Sequence, residues 1–130
     1  MSVIFYVIGG IILLFILLQL FTVLSSKKMK GNKLNGLTGR LKELENSNSK
    51  GLVYFFSPQC HACKTITPVI QQMQKEHKNI FDINVAENFD TARIFGIKAT
   101  PTTILVKGGI ISEVIIGARS KNDLEKLLSK

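Results

Sequence analysis

The stretch that decides the fold is Leu52-Val-Tyr-Phe-Phe-Ser-Pro-Gln-Cys-His-Ala-Cys63. Its first five residues are continuously apolar and rich in β-formers. Gly51 bounds them on one side and Ser57-Pro58 on the other, which predicts a short strand buried on both faces. The two cysteines follow, three residues apart, and they are the chain's only two. Beyond them Ile66, Ile70 and Met73 recur at helical spacing, which predicts a helix from Cys60 to about His77. Pro68 inside that helix lacks an N–H and should kink it. Strand, cysteine pair and helix therefore succeed one another directly.

Working outward, Ile80 to Val85 reads as a second strand and Asn88 to Phe95 as a short helix stopped by Gly96. Thr102 to Val106 and Ile110 to Ile116 read as a hairpin joined through Lys107-Gly108-Gly109. Ser120 to Asp123 resembles a capping box, and Leu124, Leu127 and Leu128 give the last helix an apolar face. Before the first strand, Leu34, Leu37, Leu41 and Leu44 recur at helical spacing, which predicts an amphipathic helix ending near Asn46 to Ser49. A β-α-β unit followed by a hairpin and a helix makes an α/β fold with a mixed sheet and helices on both faces. No first edge strand is evident before the leucine-bearing segment, so a reduced, four-stranded sheet is expected.

The chain has 130 residues, 17 Lys+Arg and 9 Asp+Glu, for a formal net charge of +8. That charge is not spread evenly. No charged side chain precedes Lys27, and six basic residues (Lys27, Lys28, Lys30, Lys33, Arg40, Lys42) then come with no acid between them. Basic character beside an apolar segment argues against a nucleic-acid-binding face, so no nucleic-acid partner is expected. Two cysteines exclude a disulfide scaffold, and the apolar content excludes disorder.

The apolar segment is Val3 to Leu24, in which Gln19 and Thr22 are the clearly polar side chains. In helix it is about 33 Å long, enough for a hydrocarbon core of about 30 Å. A cleaved signal peptide would need a basic start and a shorter apolar run. The expected organisation is a transmembrane anchor over residues 1–26, a basic juxtamembrane linker over 27–39 and a folded domain over 40–130. The flanking lysines favour a single-pass protein with its domain on the cytoplasmic side, the extracytoplasmic side being the alternative.

Cysteines at this spacing before a helix suggest thiol chemistry. Backbone amides at a helix N-terminus stabilise an anion, and so a thiolate at Cys60. Cys63, one turn on, faces the same side and is placed to close a disulfide. Zinc would need two more ligands, and only His61 and His77 are available, so no metal is expected. A haem site would need His in place of Lys64.

With these residues in view, the chain resembles the thioredoxin superfamily over about Leu52 to Lys130. Tyr54 to Lys64 is similar to the family's strand-to-active-site segment, Pro68 to its kinking proline, and Phe95-Gly-Ile-Lys-Ala-Thr-Pro-Thr102 to its cis-proline segment. The resemblance implies a thioredoxin-like fold and a protein-disulfide oxidoreductase without a cofactor; with the apolar segment read above, the expectation is such a fold behind one N-terminal transmembrane helix, tethered to a membrane. It implies Cys60 as nucleophile, Cys63 as resolving cysteine, and Thr100 and cis-Pro101 as the substrate-binding edge. His61 and Ala62, between the cysteines, would tune the potential, which is expected to be more oxidising than the about −270 mV of thioredoxin. The implied partners are protein thiols and disulfides, the lipid bilayer, and an upstream reductase or oxidase. Tyr54 stands where the family often carries a buried acid. The alternatives are a thioredoxin-fold binding, adaptor or redox-sensing module without turnover, and a metal-carrying module.

Overall fold

The computed structural model describes residues 1–130, the side chain of Ser26 apart. The first helix, α1 (Ser2–Met29), is long and apolar enough to cross a membrane. A 3-10 helix (Gly39–Glu45) leads to β1 (Lys50–Phe56), α2 (Cys63–Glu76), β2 (Ile80–Asn84), α3 (Phe89–Phe95), β3 (Thr102–Lys107), β4 (Ile110–Ile116) and α4 (Lys121–Ser129). The four strands form one mixed sheet in the order β2-β1-β3-β4, with β1 and β2 parallel and the other pairs antiparallel. The α/β reading and the four-stranded sheet both hold.

Strand alternation divides the core into two layers. Val53, Phe55, Ile104 and Val106 point to one face, under Leu34, Leu37, Leu41, Leu44 and Phe95. Leu52, Tyr54 and Leu105 point to the other, under Ile66, Ile70 and Met73 of α2 and Leu124 and Leu127 of α4. Burial on both faces explains why β1 reads as a continuous apolar run. The β3–β4 hairpin turns on Gly108 and Gly109, at φ +57° and +76°, the left-handed pair a tight two-residue hairpin requires. Side chains there would strike the carbonyls of Ser47 and Glu45.

The expected amphipathic helix is corrected in part. Leu34 and Leu37 lie in irregular chain, and only residues 39–45 wind, as a 3-10 helix. Gly36 and Gly39 take left-handed φ values of +85° and +60°, which an α-helix cannot contain. All four leucines are nevertheless buried. The chain crosses the sheet face and drops each leucine onto it, which imitates helical spacing. Residues 27–39, expected as a linker, contribute Met29, Leu34 and Leu37 to the core. Lys33 also forms an isolated antiparallel bridge with Ile110 on the outer edge of β4.

Candidate active site

The register sets one end of the sheet. Phe55 pairs with Thr102, and Thr102 with Ile116, so these three residues form a row across β1, β3 and β4. Beyond that row lie the loop carrying the cysteines and the turn carrying Pro101. The opposite end is marked by Lys50, Lys107 and Ile110.

Cys60 lies in a turn before α2, which begins at Cys63, three residues later than the sequence suggested. Cys60 N–H donates to the Ser57 carbonyl at 3.1 Å and holds that turn. The two cysteines form a disulfide with Cα atoms 5.3 Å apart. They are not equivalent. Cys60 is half-buried, while Cys63 is only 2% exposed. The Cys63 backbone N–H donates to Cys60 Sγ at 3.2 Å, a bond a thiolate would strengthen. An amide of the first helical turn has no partner within its own helix, so it is free to point there.

The cysteines open onto a cleft of about 300 Å³ that also involves Phe56, Ser57, Lys64 and Pro68. On the far side of Ser57 a second cleft, of about 310 Å³, is bounded by Val85, Phe89, Ile97 and Thr100. Ser57 thus joins the cysteine cleft to the Thr100 side. The Thr100–Pro101 peptide bond is cis, Thr100 is half-buried and Pro101 is buried. Thr102 Oγ1 donates to the Ala99 carbonyl at 2.7 Å, and Gly117 N–H to the Pro101 carbonyl at 2.8 Å, which fixes this turn against β4.

His61 and Ala62 are both exposed, and Ala62 precedes the first turn of α2. His77 caps the opposite end of that 14-residue helix, about 20 Å away, so the two histidines do not meet around the cysteines. Beneath the motif Tyr54 is fully buried. Its hydroxyl shares a 3.0 Å hydrogen bond with Thr67 Oγ1 and donates to the Cys63 carbonyl at 3.5 Å. Burial pushes this hydroxyl above its ordinary value of 10.0; the Thr67 hydrogen bond opposes the shift and the charge of Asp82 adds to it. A hydroxyl that stays protonated near neutrality cannot serve there as a base. Sequence reasoning did not single out Ser57, Lys64 or Thr67 for the site. Lys64 and Thr67, one residue after Cys63 and one turn further along α2, were the signals available.

A family model described as Thioredoxin matches residues 40–130. The chain belongs to the thioredoxin family. It is 34% identical over 91 residues to thioredoxin 2 of Chlorobaculum tepidum, covering 68% of this chain and 84% of that protein. Against the thioredoxin of Bacillus subtilis it is 34% identical over 89 residues, covering 66% and 86%. Among solved structures, the reduced thioredoxin pre-protein of Schistosoma mansoni superposes with a TM-score of 0.58 at 32% identity, over 70% of this chain and 89% of that one. A mutant thioredoxin of Halobacterium salinarum gives a TM-score of 0.62 at 24% identity, over 78% and 89%, a likeness of fold. With its paired Cys60 and Cys63, the chain is a thiol–disulfide oxidoreductase acting on protein thiols and disulfides.

Proposed function

We propose that this oxidoreductase is tethered to a membrane by α1, and that Cys60 is its nucleophile. The observation that carries the assignment is the asymmetry of the pair. Cys60 is the more exposed cysteine and its sulfur receives the Cys63 amide at 3.2 Å, while Cys63 is buried. In the reducing direction the Cys60 thiolate attacks one sulfur of a substrate disulfide. The mixed disulfide forms and the other substrate sulfur leaves as a thiolate that takes up a proton. Cys63, losing its proton, then attacks Cys60 Sγ. The Cys60–Cys63 disulfide forms and the second substrate thiolate leaves. Two electrons pass from the dithiol to the substrate, and the reverse sequence oxidises one. Thr100 and Pro101 supply the backbone edge against which a substrate strand lies. His61 and Ala62 set a potential above about −270 mV.

Domain organisation follows the same reading, with an anchor over residues 1–26, a basic segment over 27–39 that packs Met29, Leu34 and Leu37 into the domain core, and the catalytic domain over 40–130. The six basic residues from Lys27 to Lys42 support a cytoplasmic domain. An insulin-reduction assay tests the roles. Cys63→Ser is expected to accumulate a mixed disulfide, and Cys60→Ser to lose turnover without trapping substrate. Turnover retained by Cys60→Ser refutes the assignment. A membrane-impermeant thiol reagent should leave Cys60 unlabelled in intact cells and label it after permeabilisation.

A further inference from the structure

The anchor is not strung loosely from the domain. Directly after α1, Gly31 N–H donates to the Ile111 carbonyl at 2.8 Å, Ile111 N–H to the Asn32 carbonyl at 3.0 Å, and Leu34 N–H to the Gly109 carbonyl at 2.8 Å. Met29, the last residue of α1, is buried, and Lys30 Nζ lies 3.0 Å from Glu113 Oε1. The chain therefore enters the sheet with no slack, and it does so at the end remote from the cysteines.

From that point α1 runs back along β4 toward the active-site end. Gln19, Thr22 and Val23 face Ile115, Ile116 and Arg119 across a cleft. Lys98 Nζ, two residues before Thr100, sits 5.9 Å from the centre of the Phe21 ring. Helix and strand keep pace: Met29 back to Gln19 rises about 15 Å, and Ile111 to Ile116 about 17 Å. Ser2 to Leu18, about 25 Å of helix, then projects past the row that carries the active site. Gln19 and Thr22, the polar interruptions of the apolar run, line this cleft together with Val23. The projecting part has 17 residues, the short limit for a span of about 17–25, so the exposed apolar Leu20, Phe21, Val23 and Leu24 would lie at headgroup level beside the domain.

The loops at this end suit a headgroup layer. Lys64, Lys98 and Arg119 are exposed there and outnumber the exposed acids Glu87 and Asp90, and Phe89 is 70% exposed. Basic side chains are drawn to anionic headgroups, and an aromatic ring is accommodated at the interface.

We infer that α1 holds the active-site end of the sheet against the bilayer surface, with the membrane boundary near Gln19, so that its substrates are disulfides at headgroup level in membrane proteins. This rests on the membrane-anchor reading above. A freely suspended domain would instead expose its cysteines equally to disulfides deep in the aqueous phase.

The test uses the full chain in phosphatidylcholine–phosphatidylglycerol vesicles containing a lipid with a nitroxide on its headgroup. One sample carries Cys63→Ser and a fluorophore on Cys60. The other carries Cys60→Ser, Cys63→Ser and Asn48→Cys, with the fluorophore at position 48, an exposed site at the opposite end of the sheet. After each is normalised to quenching by aqueous acrylamide, the headgroup nitroxide should quench the label at 60 at least threefold more than the label at 48. Equal quenching, or stronger quenching at 48, overturns the orientation while leaving the anchor intact. Failure of the protein to float with the vesicles overturns the anchor, and this inference with it.

Discussion

Replacing Tyr54 with Phe deletes a single oxygen beneath the active site and keeps the ring. The ring stacks on Phe56 with centroids 5.7 Å apart and planes 11° from parallel, and that contact survives. What is lost is the 3.0 Å bond to Thr67 Oγ1 and the long 3.5 Å approach to the Cys63 carbonyl. Thr67 is only half-buried, so water can replace part of the lost partnership. The expected cost is about 1 kcal/mol, or about 5 °C in Tm for a domain of this size. Denaturant unfolding of oxidised protein at pH 7 should show a lower midpoint with an unchanged slope. The pH dependence adds a second constraint. Burial raises the Tyr54 pKa above 10.0, so the folded state holds this proton more tightly than the unfolded chain does. That contribution is complete below pH 10 and is lost as pH rises toward the folded value. The gap between wild type and Tyr54→Phe should therefore narrow above pH 10, where the wild type alone pays for ionisation. Between pH 6 and 9 the two proteins should show pH–rate profiles of the same shape in insulin reduction. A midpoint unchanged at pH 7, a loss above about 3 kcal/mol, or a gap that widens above pH 10 would refute this account of the hydroxyl.

Thr103 is fully buried and its hydroxyl has no hydrogen-bond partner among the described residues, so Thr103→Val should raise stability by about 1 kcal/mol, read as a higher unfolding midpoint. Gly51→Ala should destabilise by about 1–3 kcal/mol, because the new Cβ would lie 2.5 Å from Leu44 Cδ2 and 3.0 Å from the Asn79 carbonyl oxygen; chemical denaturation measures it. Leu34→Ala should cost about 2–5 kcal/mol, since this side chain is 1% exposed although it precedes the family-matched region. A change below about 0.5 kcal/mol would mean that residues 29–37 are not part of the cooperative unit.

The strands were legible because their patterns are set by burial on both faces and by the glycines of the hairpin. Ile110 to Ile116 coincides with β4, and Ser120 Oγ accepts the Asp123 N–H at the start of α4 as the capping pattern suggested. The cysteine pair was legible through its place between a strand and a helix. The leucines before β1 misled, because equal spacing arises from any path that returns to the same core face. Gly36 and Gly39 within that run were the warning. The partnership of Tyr54 with Thr67 was not legible, since 13 residues and a turn of chain separate them. Nor was the return of α1 along β4, which depends on backbone bonds between residues 31–34 and the hairpin and leaves no periodic mark.

That return also settles what becomes of the sheet's borders. A strand at the margin of a sheet offers a row of unpaired backbone groups to any other chain, and proteins guard such margins to avoid edge-to-edge aggregation. Here the start of β4 is occupied by Lys33 and its neighbours, and the rest runs beside α1. The other margin, β2, is only five residues long and carries Asp82. Copies held in one membrane plane, as the proposed anchor implies, would meet more often than in solution, so an open β4 margin would invite strand-to-strand association between them. The segment that joins α1 to the domain covers the start of that margin and so guards it against such association.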